Sequence, residues 1–169
     1  MTNAIRHVIA SQTGFFLGTL LVAHLACSSW AFAASSLPSF QVIGQDKTAL
    51  SILVPKNTTT EQLKTLILEF RSARQSNTLS KMIPPTTKGG SQGDYWLVWI
   101  FVFSEPEWAP QDRLKKFTNA SMKSASDMQF SKEYGKHIKA EYFYSHMEEY
   151  GNVGYKEGSV RTPNYKKLF

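Results

Sequence analysis

Two short stretches of the chain alternate between apolar and polar positions, which is the period of a β-strand. Residues 40–45 form the first stretch, and residues 48–54 form the second, which ends at Pro55. Asp46 and Lys47 connect the two stretches, and so short a connection favours a tight turn. The pattern therefore predicts a β-hairpin near the start of the domain.

A regular 3.6-residue period follows, which is typical of an amphipathic helix. Apolar residues recur at i, i+3, i+4 and i+7, namely Leu63, Leu66, Ile67 and Phe70. Thr58 and Glu61 have the spacing of a capping box, in which Thr58 would be the N-cap. We expect this helix to pack its apolar stripe against a sheet.

The most apolar segment, residues 95–103, is apolar on both faces of a predicted strand. A strand of this kind usually lies in the centre of a sheet and is covered twice. One face is expected to meet the helix stripe. The pattern leaves open whether the other face is covered by loop segments, by a partner or by a second copy of the protein. Residues 138–147 alternate again and predict a strand paired with the central one.

Weaker signals complete the domain. A short helix is predicted over residues 111–119, with a faint signal for another around residues 130–135, and residues 75–94 predict a long loop rich in proline and glycine. A turn is predicted at residues 151–154, and a polar tail covers residues 157–169. Together these elements predict an α+β fold. It would have a small, largely antiparallel sheet of about four strands, with one long helix packed on a face and a short second helix.

The first 33 residues have the three-part order of a secretory signal peptide. Arg6 supplies the positive charge, residues 15–27 form an apolar run, and small residues precede the expected cleavage site. We expect cleavage after Ala33, with Ala31 as the second small residue that the peptidase recognises and Ala34 as the new N-terminus. The protein would then be periplasmic or secreted.

The apolar run has two alternative interpretations. It could stay as a membrane anchor, although about 13 residues are fewer than the ~20 that span a bilayer, and His24 would lie in hydrocarbon. Cys27 could be lipidated, although a histidine stands where a bacterial lipobox usually has leucine. An exported domain without cysteine fits a bacterial envelope better than eukaryotic secretion.

Composition bounds the class of protein. Of the 169 residues, 42% are hydrophobic and 19% are charged, so the protein is neither disordered nor collagen-like. Residues 34–169 have the size of a single domain with a real core. Cys27 is the only cysteine, so this domain can form no disulfide, thiolate nucleophile or cysteine-based zinc site. No cofactor is expected.

The predicted domain is basic. The whole protein has a formal charge of +6, and Arg6 is the only charged residue of the signal, so the domain carries one positive charge less. Its basic residues are dispersed, with adjacent pairs only at 115–116 and 166–167. This distribution favours a solvated surface over a patch for anionic lipid or polymer. Export argues against a nucleic-acid ligand.

Motifs for catalysis and metal binding are absent from the sequence. His137 and His146 would face opposite sides of a regular strand, so no shared metal is expected. There is no G-x-S-x-G sequence to present a serine nucleophile. Paired acids occur at Glu105 and Glu107, and a hydrolase would use these, or His146, as acid or base.

Aromatic residues are the most unusual feature of the domain, since they make up 13% of the sequence. Tyrosine and tryptophan are enriched at protein interfaces. The predicted binding surface combines the outer face of the last predicted strand with a tryptophan and the turn that follows the strand. Its residues are Trp108, Tyr142, Tyr144, His146, Glu149, Tyr150 and Tyr155.

We therefore expect an exported binding domain of the bacterial envelope, without catalytic residues, whose partner is an envelope or extracellular protein. The alternative is a small hydrolase of envelope polymer that uses Glu105 and Glu107 or His146. A third interpretation is an electrostatic binder of anionic lipid or polymer surfaces, which would release its ligand in salt.

Overall fold

The computed structural model describes residues 36–121, 123–157 and 160–169. These residues form a mixed sheet of six strands, a separate two-stranded sheet and three α-helices, which confirms the predicted α+β class. The strands and α-helices are β1 (Gln41–Asp46), β2 (Ala49–Leu53), α1 (Thr60–Gln75), β3 (Val98–Phe103), α2 (Gln111–Thr118), α3 (Ala125–His137), β4 (Ala140–Tyr144), β5 (Glu149–Val153), β6 (Lys156–Glu157), β7 (Val160–Arg161) and β8 (Lys166–Lys167). Short 3₁₀ turns occur at Leu79–Lys81 and Pro106–Trp108.

The predicted signal peptide lies outside the described residues. Its cleavage site and the two alternatives for its apolar run therefore stay predictions. The residues concerned are Ala31, Ala33 and Ala34 at the cleavage site, Cys27, and the run 15–27. None of the helices in the described ranges is long and apolar enough to cross a membrane.

The strands of the main sheet lie in the order β1-β2-β3-β4-β5-β8. β2 and β3 are parallel, and every other neighbouring pair in this sheet is antiparallel. α1 lies in the crossover connection that a parallel pair requires. β3 lies between β2 and β4, as its apolar pattern predicts. The prediction of about four strands is too low, because β5 and β8 extend the sheet beyond β4.

Helices cover both faces of β3. The stripe of α1 packs against Ile100 and Val102 in one apolar cluster. Phe101 and Phe103 point the other way and pack with buried residues of α2 and α3 in a second cluster. The cover of the second face, which the sequence pattern leaves open, therefore comes from the protein's own helices.

α1 begins one residue later than the capping pattern predicts. Thr59 is the N-cap: its hydroxyl oxygen accepts a hydrogen bond from the Gln62 N–H (3.2 Å), and Gln62 Oε1 accepts one from the Thr59 N–H (2.9 Å). The prediction of Thr58 with Glu61 is wrong because glutamine closes a capping box as well as glutamate does. Thr58 instead donates its hydroxyl hydrogen bond to the carbonyl of Pro55 (2.7 Å).

α2 confirms the predicted short helix, whereas α3 extends well beyond the faint signal at residues 130–135. Ser124 is the N-cap of α3, where its hydroxyl oxygen accepts a hydrogen bond from the Asp127 N–H (3.2 Å). The buried positions of α3 are few, namely Tyr134 and Gly135, so the helix has only a weak apolar period.

The end of the protein differs most from the prediction. Most of residues 151–154 lie in β5, and residues 145–148 connect β4 to β5 instead. Glycine and asparagine favour a turn, but pairing with β4 decides the conformation. Gly151 is needed in this strand because a Cβ there would lie 2.5 Å from Ile67 and 2.6 Å from Phe169. The predicted polar tail also contains strand residues, in β7 and β8.

The predicted loop lies between α1 and β3, and its base is well bonded. The N–H groups of Thr86 and Thr87 donate to the carbonyl of Asp94 (3.0 and 2.9 Å). The Thr86 hydroxyl donates to the carbonyl of Leu97 (2.7 Å). These bonds join the two ends of the glycine-rich segment 88–93, which is exposed.

Close packing between β1 and α2 gives the first prediction. A Cβ on Gly44 would lie 2.8 Å from the Cα of Gln111 and 2.8 Å from the Oγ of Ser51. Because backbone must move to admit a methyl group, Gly44→Ala should lower the free energy of unfolding by about 1–3 kcal/mol. Gln41→Ala, at an exposed position of the same strand, is the control and should change it by less than about 0.5 kcal/mol. Urea unfolding measures both, and equal stability of the two variants would contradict the packing.

Candidate functional site

The connection between β4 and β5 exposes an apolar side chain. Ser145 closes this connection: its N–H donates to the carbonyl of Glu148 (2.8 Å), and its hydroxyl oxygen accepts from the Glu148 N–H (3.1 Å). Met147, between them, is 82% exposed and is the most exposed large hydrophobic residue of the described ranges. Methionine is enriched where protein surfaces contact one another.

Trp96 contacts this connection. Its ring stacks on His146, with 5.0 Å between the ring centroids and an angle of 14° between the planes. The indole Nε1–H is buried and has no hydrogen-bond partner within the described residues. A buried N–H without an acceptor costs about 1–3 kcal/mol, so such a group calls for an explanation, of which a ligand is one.

A cavity of about 290 Å³ lies beside Trp96. Arg74 lines it from the end of α1, Asn77 and Leu79 from the segment that follows α1, Tyr144 from β4, and residues 92–96 from the loop before β3. We define the hairpin-tip patch as Trp96, Tyr144, His146 and Met147. The patch places aromatic rings and an exposed thioether next to a cavity that contains a cationic side chain.

Glu149, the first residue of β5, orients the arginines of this region. Arg74 donates from Nε (2.8 Å) and Nη2 (3.1 Å) to the two carboxylate oxygens, and Arg71 donates from Nε (3.4 Å). The hydroxyl of Tyr142 donates to the same carboxylate (2.9 Å). One carboxylate thus joins α1 to β4 and β5.

Both arginines also lie over aromatic rings. The guanidinium carbon of Arg74 is 4.2 Å from the ring centroid of Tyr144, and that of Arg71 is 4.1 Å from the centroid of Phe169. Burial alone would lower the pKa of Arg74, but the hydrogen bond and negative charge of Glu149 outweigh burial and raise the pKa above its ordinary value. Arg74 is therefore a permanently charged group in a fixed orientation.

Of the predicted binding residues, only Tyr144 lines this cavity. His146 stacks on Trp96 and Glu149 bonds to Arg74, and both of these partners are lining residues. Tyr142 is fully buried, which contradicts its expected place on an outer strand face. The reason is that α1 covers this face of β4, where Phe70 packs against Tyr142 with 6.1 Å between the ring centroids. Burial, followed by the neighbouring Glu149, raises the pKa of Tyr142, so its hydroxyl stays a hydrogen-bond donor.

The other three predicted residues lie on the opposite face of the sheet. Tyr155 is buried in the cluster beneath α2 and α3, and Trp108 packs against the same cluster. Tyr150 stacks on Phe143, with 5.0 Å between centroids. The seven predicted residues therefore do not form one surface, because the sheet separates Trp108, Tyr150 and Tyr155 from the hairpin-tip patch.

Glu105, a candidate acid of the hydrolase alternative, pairs with His137 and not with Glu107. Its Oε2 lies 2.6 Å from His137 Nδ1, and its Oε1 accepts a hydrogen bond from Lys139 Nζ (3.0 Å). Trp108 stacks on the imidazole, with 3.9 Å between centroids. Glu107 is exposed. Short-range spacing cannot reveal this pair, since 32 positions separate its members.

The environment of Glu105 keeps the carboxyl group ionised. Burial would raise the pKa of Glu105, but hydrogen bonds from His137 and Lys139, and the charges of both, outweigh burial and lower the pKa. A general acid needs a raised pKa in order to hold its proton near neutral pH. Glu105 is therefore suited to be an ion-pair partner or a base, and not a proton donor.

A polar cluster surrounds Glu141 on the face opposite α1. The carboxylate is only 3% exposed. It accepts hydrogen bonds from Trp99 Nε1 (2.7 Å), the Tyr150 hydroxyl (3.1 Å) and Asn152 Nδ2 (3.3 Å). These hydrogen bonds compensate for the burial of a charged group. They give Tyr150 and Asn152 a structural role as partners of Glu141.

The sequence pattern does not indicate Arg74, Trp96 or Met147 as candidate site residues. Arg74 has the position of a cation that suits the helix dipole, and Trp96 belongs to a segment with the pattern of a core strand. Met147 ends an alternating segment, which gives no sign of its exposure. The contact that distinguishes Arg74 is its ion pair with Glu149, which lies 75 positions away in the sequence. A pattern of neighbouring residues cannot reveal such a contact.

No protein-family model matches the sequence, and no curated protein or solved structure is significantly similar to it. Within the described ranges, no group of three or more His, Cys, Asp or Glu residues could hold a metal ion. The two candidate sites of the described residues are the hairpin-tip patch with its cavity and the pair formed by Glu105 and His137.

The Glu149 network predicts a clear cost of neutralising its carboxylate. Glu149→Gln removes the negative charge between Arg71 and Arg74 and leaves the Tyr142 hydroxyl with a weaker acceptor. The free energy of unfolding should fall by about 1–3 kcal/mol. Glu148→Gln changes the exposed neighbour and should alter it by less than about 0.5 kcal/mol. Thermal unfolding compares the two variants, and equal melting temperatures would contradict the network.

The lowered pKa of Glu105 predicts a pH-dependent contribution to stability. A carboxyl group whose pKa is lower in the folded state adds stability above its ordinary pKa, and that stability is lost as the pH falls through the lowered value. The difference in unfolding free energy between the wild type and Glu105→Gln should therefore be greater near pH ~6 than near pH ~3. Glu107→Gln is the control, for which no such trend is expected. A Glu105→Gln difference that does not change with pH would rule out the assigned pairing.

Proposed function

We propose that the protein is an exported binding domain without catalytic activity, and that it contacts a protein of the bacterial envelope or exterior through the hairpin-tip patch. One observation carries the proposal. Met147, 82% exposed, directly follows His146, whose ring stacks on Trp96, and Trp96 lines a cavity together with Arg74. The patch lies on one end of the sheet and is built from two segments far apart in sequence.

The composition of the patch favours a protein partner. Tryptophan, tyrosine, methionine and arginine are enriched in the cores of protein interfaces, whereas lysine and glutamate are depleted. Tryptophan, tyrosine and arginine also dominate the residues that contribute most binding energy. Contacts with Glu149 and Tyr144 already orient Arg74, so association would cost little additional side-chain entropy there.

Export is proposed from residues 1–33, which have the charge, apolar run and small residues of a signal peptide. The absence of cysteine from the remaining sequence agrees with a bacterial envelope location. The net positive charge of the protein would favour a partner with an acidic surface and a faster association at low salt.

The hydrolase alternative has one observation in its favour, the pairing of Glu105 with His137, because a carboxylate can orient an imidazole for general-base catalysis. The surroundings of the imidazole count against it. Its Nδ1 faces Glu105 and its Nε2 lies 3.4 Å from Glu133, so both ring nitrogens face carboxylates. Hydrolysis of envelope polymer that is lost in Glu105→Gln or His146→Ala, with the fold retained, would establish the alternative.

Capture of a partner from the source organism tests the proposed function. The immobilised protein is incubated with envelope extract, washed at about 0.5 M salt, and the retained proteins are identified by mass spectrometry. His146→Ala combined with Met147→Ala should reduce the retained partner at least about tenfold, as expected when central interface residues are removed. Leu68→Ala is the matched control, since Leu68 is an exposed apolar residue of α1.

Three results would contradict the proposal. The double variant could retain as much partner as the wild type, or the Leu68 control could lose as much as the double variant. Retention of only anionic lipid or polymer, lost between ~50 and ~200 mM salt, would support the electrostatic interpretation instead. Circular dichroism of each variant confirms that a change in capture is not a change in fold.

A further inference from the structure

We infer that the cavity beside the hairpin-tip patch binds a carboxylate group carried by the partner protein, and that Arg74 is the residue that recognises it. This inference rests on the proposed binding function and specifies the chemistry of its ligand. The carboxylate could belong to an acidic side chain or to the free C-terminus of the partner, and the peptide titration described below separates these two sources.

The donors that line the cavity indicate a ligand that accepts hydrogen bonds. A guanidinium has five N–H donors and no acceptor, and an indole has one donor and no acceptor. Glu149 engages Nε and Nη2 of Arg74, so the Nη1 group takes no part in that pair. Trp96 also lines the cavity, and its buried Nε1–H has no partner among the described residues. An acceptor is therefore the complement of Arg74 within this lining.

The charge and shape of Arg74 favour a carboxylate among possible acceptors. Hydrogen bonds between ionised groups are about twice as strong as neutral ones, and the planar guanidinium matches the two oxygens of a carboxylate. The Tyr144 ring, 4.2 Å from the guanidinium carbon, supports one face of the group. Because Glu149 and Tyr144 hold Arg74 in place, little rotamer freedom remains to be lost on binding.

Besides Glu149, whose charge is shared by Arg71 and Arg74, Asp94 opposes this assignment, since it also lines the cavity. Its side chain is in an exposed loop, where solvent screens its charge, and its Oδ1 accepts a long hydrogen bond from the Gly89 N–H (3.4 Å). Asp94 should therefore weaken carboxylate binding without preventing it. Removal of this charge should therefore have the opposite effect to a change of Arg74: Asp94→Asn should bind a carboxylate more tightly than the wild type.

Nuclear magnetic resonance titration of the purified protein tests the inference through its indole N–H signals. Three peptide probes are used: acetyl-Gly-Glu-Gly-amide, acetyl-Gly-Gly-Gly with a free C-terminus, and acetyl-Gly-Gln-Gly-amide as the uncharged control. At least one charged probe should shift the Trp96 signal in a saturable manner, and the probe that does so identifies the source of the carboxylate. The Trp99 signal should stay fixed, since that indole is bonded to Glu141.

Arg71 provides the matched control for Arg74. Both arginines bond to Glu149 and lie over an aromatic ring, but only Arg74 lines the cavity. Arg74→Lys should weaken binding of the charged probe at least about tenfold, because lysine lacks the planar pair of donors, whereas Arg71→Lys should change it less than about twofold. If Arg74→Lys fails to fold, Asp94→Asn still tests the inference, because its affinity for the charged probe should rise.

Several results would overturn the inference: an equal shift with the uncharged probe, no shift with either charged probe, equal effects of the two lysine variants, or weaker binding by Asp94→Asn. Failure of the carboxylate inference can be distinguished from failure of the proposed binding function. Partner capture that is lost in the Met147 double variant but kept in Arg74→Lys would leave the proposed function intact and reject the carboxylate. Loss of capture in both variants, with saturable probe binding, would support both statements.

Discussion

β3 is apolar on both faces, so the protein can fold only if both faces are covered. α1 covers one face and joins two parallel strands, whereas α2 and α3 cover the other. Because α1 packs along β4 and β5, its last turn ends beside the connection between those strands. The cavity lies where this turn, the loop before β3 and the end of β4 meet. The position of the candidate site therefore follows from the way α1 covers the central strands.

Glu149 links this scaffold to the site. Its carboxylate bonds to Arg71 and Arg74 of α1 and to Tyr142 of β4, and it thereby holds a cation at the cavity wall. Removing one partner of a partly buried charged pair is destabilising, because the other charge is left uncompensated. The intact pair also fixes the orientation of the Arg74 guanidinium. In the proposed function, Arg74 would serve both the fold and binding, whereas the exposed Met147 can be changed without disturbing the core.

Local sequence patterns correctly predict those helices and strands whose conformation depends mainly on their own residues. The stripe of α1 and the doubly apolar β3 are examples, because each has many residues that agree on one structure. β5 is missed because Gly151 favours a turn locally, and only the close approach of Ile67 and Phe169 requires glycine in a strand. Of the candidate site, the sequence pattern indicates Tyr144 and His146. Arg74 and Trp96 join the candidate site only through contacts with residues that are distant in sequence.

The most direct test of the binding function is site-specific photocrosslinking in the source organism. A benzophenone amino acid replaces Met147 in one strain and Leu68 in another, and the adducts are identified after irradiation of intact cells. The account predicts one main protein adduct from position 147 and no corresponding adduct from position 68. Absence of an adduct at position 147, or the same adducts at both positions, would contradict a partner seated on the hairpin-tip patch.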